Sequence, residues 1–246
     1  MSYRVSIMLC AAIWLGLQLP AISKDIQPSQ NINSVKGVTV SAQTTKGDQS
    51  ALDYQLIYPV IKGAPNRSVQ KKLNSLFKNE ALRFNKKMIK TAKEDQESAK
   101  KDNYPFRKYQ AFTAPDLKYN DGRILSLTRD FYEYTGGAHG NTLRTPTNID
   151  LKTGKTIKLK NLFKADTDYR DLLLKEMKQQ IKGHEQEYFA EEIKPFEKDP
   201  LFFLEKGNIV IYFSQYEIAP YASGMPEFRI SVEKYKEYLT PTAQKL

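Results

Sequence analysis

The spacing of the apolar residues changes along this chain from every second residue to every third or fourth, and this change decides what it can fold into. Residues 38–42 and 52–58 alternate in polarity and are rich in β-branched and aromatic side chains, which predicts two half-buried strands. From Asn66 onward the apolar residues fall three or four apart. This predicts one long helix over about residues 67–98, with Asn66 as its N-cap. Together these patterns indicate an α+β fold.

Strand patterns return after the long helix. Pro59 and the Gly63-Ala64-Pro65 segment are expected to close the first pair of strands. Asn120-Asp121-Gly122 is a tight-turn signal between two strands, which predicts a hairpin. A second helix is predicted over about residues 168–181. Further strands are predicted over residues 109–113, 116–119, 124–134, 145–151, 156–159, 201–204, 209–213 and 227–230.

The N-terminus has the features of a secretory signal peptide. An apolar run over residues 5–19 follows Arg4, and a small-x-small site precedes Lys24. Residues 1–23 are therefore expected to be a signal peptide or an N-terminal anchor, and the polar residues 24–36 a linker. No second apolar run of that length follows, so we expect a secreted or extracytoplasmic protein without another membrane span.

Composition narrows the range of partners. The formal net charge is +10. For an exported chain, that charge suits anionic wall polymers or lipid headgroups better than nucleic acid, although it also serves solubility. Cys10 is the only cysteine and lies in the predicted leader, so disulfides and thiol chemistry are not expected.

Two charged segments are candidate interaction sites. Lysines crowd the end of the long helix and could contact a polyanion, or could simply be solvated among the interleaved acids. Residues 185–199 are acidic in an otherwise basic chain. This acidic segment, with Glu191 and Glu192, could receive a basic partner protein, or could be a solvated loop.

No catalytic or metal-binding set is recognisable. His139 and His184 are the only histidines, which is too few for the usual zinc sites, so neither metal nor cofactor is expected. His139 in a glycine-rich loop, with Glu217 as a carboxylate partner, is the candidate pair for a cell-wall hydrolase or esterase. The alternative is that His139 holds its loop in place by hydrogen bonds.

Four motifs, in order, carry a resemblance to a known family. Tyr-Thr-Gly-Gly-Ala-His-Gly spans residues 134–140, and Asp-Leu-Lys-Thr-Gly-Lys spans 150–155. Leu-Lys-Asn-Leu-Phe at 159–163 follows, and then Tyr-Phe-Ser-Gln-Tyr-Glu-Ile-Ala-Pro-Tyr-Ala-Ser-Gly at 212–224. Over residues 50–240 the chain resembles the PdaC/RsiV-like extracellular domains.

The resemblance implies an organisation and a role. It implies an N-terminal α/β subdomain over residues 37–145 with one long helix. A C-terminal subdomain over residues 146–246, an antiparallel sheet with packed helices, is expected to follow. In the family such domains form the lysozyme-binding part of anti-sigma factor RsiV and a non-catalytic region of the peptidoglycan deacetylase PdaC. Because the chain has no room for a sigma-binding region or a deacetylase domain, neither activity is expected here.

The expected function is therefore a non-enzymatic envelope recognition domain that binds a protein such as lysozyme, or peptidoglycan. An envelope scaffold is a third alternative. Glycines at the predicted site permit close backbone approach, and its tyrosines offer flat, stiff surface, unless these aromatic residues only join the two halves of the core. The candidate ligand-binding residues are Gly136, Gly137, His139, Tyr216, Glu217, Tyr221, Glu191 and Glu192.

Overall fold

A computed structural model describes residues 33–246 of the chain. The predicted signal peptide, residues 1–23 with Cys10, and the linker up to residue 32 lie outside the described residues. The described part folds into nine strands and two α-helices. Their bounds are β1 Asn33–Val35, β2 Val38–Asp48, β3 Leu52–Lys62, α1 Arg67–Lys101, β4 Tyr109–Asn120, β5 Ile124–Tyr134, β6 Asn141–Asp150, α2 Tyr169–Ile181, β7 Leu201–Glu205, β8 Asn208–Tyr212 and β9 Glu227–Ser231.

The first six strands form one sheet in chain order. All neighbours are antiparallel except β3 and β4, which are parallel and are connected by α1. Asn66 caps α1 as predicted, since its side-chain oxygen accepts hydrogen bonds from the amides of Ser68 and Val69. The apolar face of α1 packs on the sheet, where Leu73 and Phe77 join the core.

The last three strands form a smaller antiparallel sheet in the order β7-β8-β9. Helix α2 packs against β9, and its buried side chains share one apolar cluster with this sheet. Strand β7 contacts β4, β5 and β6 of the larger sheet. The described chain is thus an α+β fold in which both helices cover sheets, as predicted.

The first half of strand β5 is buried on both faces because it lies between α1 and the small sheet. Leu125 and Leu127 share the cluster that α1 covers, whereas Ile124 belongs to the cluster of the small sheet. Ser126 lies between them in sequence and points towards the small sheet, since its hydroxyl accepts a hydrogen bond from the Leu204 amide at 2.8 Å. Period-two alternation therefore delivers β5 side chains to both sides of the sheet.

The structure differs from the predicted element boundaries at several places, and four of these differences bear on the fold. Pro59 lies inside β3 rather than ending it, beyond the part of β3 that pairs with β4. Residues 156–159 form one bridge, from Thr156 to Ile149, and not a strand. Residues 33–35 of the expected linker pair with β2. The expected boundary between residues 145 and 146 falls inside β6, so the larger sheet extends across it.

Candidate functional site

The loop between β5 and β6 carries the first motif and is held at its start by an arginine. The Arg107 guanidinium donates hydrogen bonds to the carbonyls of Gly136 and Gly137, at 3.2 and 3.4 Å. Gly136 has a φ of 86°, a left-handed conformation that favours glycine. Gly137 and Gly140 do not adopt positive φ, so only the first glycine of the motif needs that freedom.

Gly140 is required for a different reason, which is close packing. It is buried, and a Cβ there would lie 2.3 Å from the ring of Tyr132. Tyr132 stacks on Phe112 at 5.8 Å between ring centres, so its ring is held in place. Burial, with a smaller contribution from Tyr221, raises the pKa of the Tyr132 phenol. This packing holds Gly140 in position, so that its carbonyl can anchor the side chains of the site.

His139, Tyr216 and Tyr221 form a compact aromatic cluster around that carbonyl. The Gly140 carbonyl accepts hydrogen bonds from Nδ1 of His139 at 2.9 Å and from the Tyr221 hydroxyl at 3.0 Å. Because a carbonyl only accepts, Nδ1 carries the ring proton, and Nε2 accepts from the Tyr216 hydroxyl at 3.1 Å. The rings of His139 and Tyr221 stack at 3.9 Å. We call these three residues the aromatic cluster.

Tyr216 is the exposed member of the aromatic cluster. It is 54% exposed and has a φ of 65°, a left-handed conformation that costs about 1 kcal/mol or more for a residue with a Cβ. Its neighbour Gln215 fixes the loop to β6 by accepting a hydrogen bond from the Thr142 amide at 3.0 Å. The loop after β8 is thereby tied to the start of β6 and presents the Tyr216 ring to solvent.

Glu217 has a structural partner in its own turn. Its carboxylate accepts a hydrogen bond from the Ser214 amide at 2.7 Å, and its amide donates to the Ser214 carbonyl at 3.1 Å. The partner of His139 Nε2 is Tyr216 rather than this carboxylate. Glu217 therefore follows Tyr216 of the aromatic cluster in sequence, but its carboxylate closes a turn and is not the partner of His139.

The acidic segment, residues 185–199, is attached to the same loop. The Phe189 amide donates to the carbonyl of Ile218, next to Glu217, at 2.9 Å. Tyr188, Ile193 and Phe196 are partly buried and pack against the core of the small sheet. Glu191 is exposed, and Glu192 pairs with Lys194 at 3.0 Å. The structure thus connects the acidic segment to the loop that carries Tyr216 and Tyr221.

A network of charged side chains on β5, β6 and β9 was not predicted from the sequence. Arg144 on β6 pairs with Asp130 through two hydrogen bonds of 2.8 and 2.9 Å, and with Glu227 on β9 at 2.8 Å. The hydrogen bonds to Asp130 are the main cause that raises the Arg144 pKa above its usual value. Asp130 and Arg144 are directly opposite in the register of β5 and β6. Their opposite charges at paired hairpin positions are the signal that could have revealed them.

The described residues show neither a metal centre nor a membrane span. Within residues 33–246, no group of three or more His, Cys, Asp or Glu side chains is arranged to hold a metal ion. In the same part of the chain, no helix is both long and apolar enough to cross a membrane.

Two family models match the chain in the order of its two halves. The model described as deacetylase PdaC matches residues 45–142, and that of a protein of unknown function, DUF3298, matches residues 160–233. The resemblance to the PdaC/RsiV-like family is confirmed. In the aromatic cluster, His139 lies in the first matched region, and Tyr216 and Tyr221 lie in the second.

Similar proteins include two from Bacillus subtilis. The anti-sigma-V factor RsiV is 27% identical over 80% of this chain and 68% of its own length. The peptidoglycan-N-acetylmuramic acid deacetylase PdaC is 24% identical over 79% of this chain, which spans only 40% of that enzyme. The match therefore includes less than half of PdaC, whose name describes a deacetylase of peptidoglycan N-acetylmuramic acid.

Solved structures share the fold of this PdaC/RsiV-like chain. A DUF3298 family protein from Bacteroides fragilis has a TM-score of 0.65 at 20% identity, with 85% of this chain and 96% of that one covered. A second, from Pseudomonas aeruginosa, has a TM-score of 0.57 at 18% identity, with 87% and 99% covered. This chain thus has the same overall fold as these two proteins.

Proposed function

We propose that this chain is a non-catalytic, extracytoplasmic recognition domain that binds its partner through the aromatic cluster and the adjoining acidic segment. The observation that carries this proposal is the pair of hydrogen bonds on His139. Nδ1 donates to the Gly140 carbonyl and Nε2 accepts from Tyr216, so both ring nitrogens are engaged. The imidazole serves to hold two loops together at an exposed surface.

This geometry favours recognition over hydrolysis. A catalytic histidine needs a substrate proton or nucleophile within hydrogen-bond reach and a third group, here the expected carboxylate, to orient it. The lone pair of His139 Nε2 faces the Tyr216 hydroxyl, and the Glu217 carboxylate closes a turn. In contrast, a stacked imidazole and phenol beside an exposed tyrosine make a stiff contact surface that loses little conformational entropy on binding.

Lysozyme is the protein partner that we propose first. Lysozymes are usually basic, and the acidic segment lies next to the loop that carries Tyr216. Opposite charges would steer the encounter, while the aromatic cluster would supply the buried contact at the centre of the interface. A cell-wall glycan is the second candidate ligand, because the exposed Tyr216 ring could pack on a sugar face and the relative PdaC acts on peptidoglycan.

Calorimetric titration tests both candidates. The protein is titrated with lysozyme and, separately, with soluble peptidoglycan fragments, while product release is monitored by chromatography. We expect saturable heat without product. The Tyr216→Gly variant should weaken binding about tenfold or more, the loss of one aromatic anchor. Glycine also tolerates the left-handed backbone at this position, so the variant should fold.

A charge-reversal pair tests the acidic segment separately. Glu191→Lys with Glu192→Lys should reduce lysozyme affinity about tenfold at low salt and less at high salt. The matched control reverses Glu233 and Glu237, which are exposed and lie on the segment after β9. Equal losses of lysozyme affinity in the test pair and the control pair would mean that net charge, and not the acidic segment, determines binding.

Two results would contradict the proposal. Product that forms with the wild-type protein and disappears in His139→Ala would establish the hydrolase alternative. Unchanged binding of both ligands by Tyr216→Gly would remove the aromatic cluster from the interface. The extracytoplasmic location is checked independently by cell fractionation, in which the protein is expected in the envelope or the medium.

A further inference from the structure

The outward face of α1 carries a long run of exposed cations and few acids. Between Arg67 and Lys93 the helix contains one carboxylate, Glu80. Glu80 turns inward and forms an ion pair with the buried Arg129. The exposed cations of this stretch are Arg67, Lys71, Lys72, Lys78, Arg83, Lys86, Lys87, Lys90 and Lys93.

These cations are available to a partner. Among residues 33–246, the only ion pair that any of them forms is the exposed contact of Lys90 with Glu94, at 3.8 Å. Asp95, which the sequence places among the lysines, accepts a hydrogen bond from Tyr109 at 2.6 Å and so faces the sheet. Exposed Glu94 and Glu97 lie within one turn of Lys90 and Lys93 only, so the acids near the end of α1 leave the cations of residues 67–87 unneutralised.

Within residues 33–246, the acids that neighbouring elements bring to the start of this face are already paired. The Lys152 carbonyl accepts a hydrogen bond from Asn66, which brings another exposed lysine to the beginning of α1. Asp150 pairs with Arg123, and Asp199 pairs with Arg170. Like charges three or four residues apart destabilise a helix, so this face carries a cost that a bound anion would remove.

The spacing of the charges favours a linear partner. Lys72, Arg83, Lys86, Lys90 and Lys93 lie on one side of α1 and span about 30 Å along the helix axis, at 1.5 Å per residue. Between them a shallow depression of about 330 Å³ is lined by Leu76, Leu82 and neighbouring polar residues. It offers carbon contacts between the charges, as a polymer of phosphates joined by short carbon units requires.

A membrane surface fits this face less well. Helices that lie in the membrane interface bury a broad apolar face, usually with aromatic residues. On the outward side of α1 the only exposed large apolar side chains within residues 33–246 are Leu76 and Leu82, at 39% and 40% exposure. The opposite, apolar side of α1 is already packed on the sheet.

We propose that the outward face of α1, residues 67–93, binds a linear polymer of phosphate groups. This site is separate from the aromatic cluster, which is built from the loops after β5 and β8. It would allow the protein to bind an anionic polymer while its other surface binds a protein or glycan partner.

Binding of long-chain inorganic polyphosphate to the full chain tests the proposal. The test variant replaces Lys72, Lys86, Lys90 and Lys93 by glutamine. We expect affinity at about 0.05 M salt to fall about 30-fold or more. The slope of log affinity against log salt should become shallower by about 3, at roughly 0.7 for each lost phosphate contact. Replacing the same four lysines by arginine should retain binding, which shows that charge at these positions is what matters.

A matched control has the same net charge. It replaces four exposed lysines outside α1 by glutamine, and it should bind polyphosphate within about twofold of the wild type, because only charges near the polymer contribute. The control positions are Lys160, Lys182, Lys198 and Lys206. Thermal denaturation checks that all variants fold.

Three results would overturn the proposal. Equal losses of polyphosphate affinity in the test and control variants would mean that net charge, and not the position of the lysines on α1, determines binding. Polyphosphate binding that the test variant retains would place the site elsewhere. Binding to phosphatidylglycerol-containing vesicles without binding to polyphosphate would make the face a membrane site. Tyr216→Gly should leave polyphosphate binding unchanged, so a failure of the aromatic cluster as a partner site would not affect this result.

Discussion

Replacing Asn148 by alanine should lower the free energy of unfolding by about 3 kcal/mol, because two buried hydrogen bonds depend on this side chain. Its amide group donates to the Phe202 carbonyl at 2.8 Å and accepts from the Ser126 hydroxyl at 2.7 Å. Asn148 is 5% exposed and Ser126 is fully buried. A buried polar group left unpaired costs about 1–3 kcal/mol, and the freed Ser126 hydroxyl can recover part by rotating.

Urea denaturation and thermal melting measure this loss. For a chain of this size we expect the melting temperature to fall by about 6–12 °C, since each kcal/mol corresponds to about 2–4 °C. The matched control is Asn141→Ala on the same strand, where the side chain is exposed. That variant should change stability by no more than about 0.5 kcal/mol.

A double-mutant cycle with Ser126→Ala decides whether the mechanism is correct. Ser126→Ala alone should cost about 2 kcal/mol, because the buried Leu204 amide loses its acceptor. Each single variant leaves one member of the Ser126–Asn148 pair without its partner, and the double variant removes both. The double variant should therefore cost about 1 kcal/mol less than the sum. Additive losses would refute the reasoning.

Three other substitutions test features of the core. Glu80→Ala should cost about 3 kcal/mol by denaturation, because it leaves the Arg129 guanidinium buried without a counter-charge, whereas Glu80→Leu with Arg129→Met should cost much less. Burial alone would raise the pKa of Glu176, but its hydrogen bonds, that from Lys234 foremost, lower it below the usual value. Because the pKa of Glu176 is lower in the folded state, its ionised carboxylate stabilises the fold at pH values above the unfolded-state pKa of about 4.3. This stabilisation is lost as the pH falls through the folded-state pKa. In Glu176→Gln the free energy of unfolding should therefore depend less on pH below about pH 5. Gly63→Ala should cost about 3 kcal/mol by denaturation, because its Cβ would lie 2.0 Å from a backbone carbonyl oxygen at a φ of 73°.

Each of these substitutions has a result that would contradict it. Equal losses in Glu80→Ala and the double apolar variant would mean that the pair itself, and not an orphaned charge, stabilises the fold. If the stability of Glu176→Gln fell at acidic pH as steeply as that of the wild type, the pH dependence would come from other residues. Gly207→Ala is the control for Gly63, since its φ is 76° but no atom lies within 4 Å of the added Cβ. If Gly207→Ala lost as much stability as Gly63→Ala, the close contact of the added Cβ at Gly63 would not be the cause.

Local patterns were sufficient for much of the fold. The helical spacing after Asn66 predicted α1 to within three residues of its observed end at Lys101, and the capping role of Asn66 is confirmed. The Asn120-Asp121-Gly122 turn is also confirmed, with Gly122 at a φ of 87°. These features depend on residues close in the chain, so their signals are contained in the sequence pattern.

Features that depend on distant residues could not be predicted in this way. Residues 156–159 alternate as a strand does, yet Leu159 and Leu162 are buried in the cluster that α2 shares, and the chain turns at residue 159 to bring both there. The hydrogen bond between His139 and Tyr216 joins residues that are 77 positions apart. Both motifs were recognised, but only the fold shows that they meet, and that Glu217 has a partner in its own turn.

The contact between the two motifs makes a further prediction, that the C-terminal region proposed over residues 146–246 does not bind a partner by itself. The Gly140 carbonyl that anchors Tyr221 would be missing from this fragment. The β7 amide of Leu204 would also lose its acceptor, Ser126, and the small sheet would lose the β5 side chain of Ile124 that shares its core, so β7 would become an open sheet edge. We therefore expect the fragment to show weak protection of β7 in hydrogen exchange and no heat with lysozyme or peptidoglycan fragments. A stable fragment that binds as tightly as the whole chain would show that the contacts to β5 and β6 are dispensable.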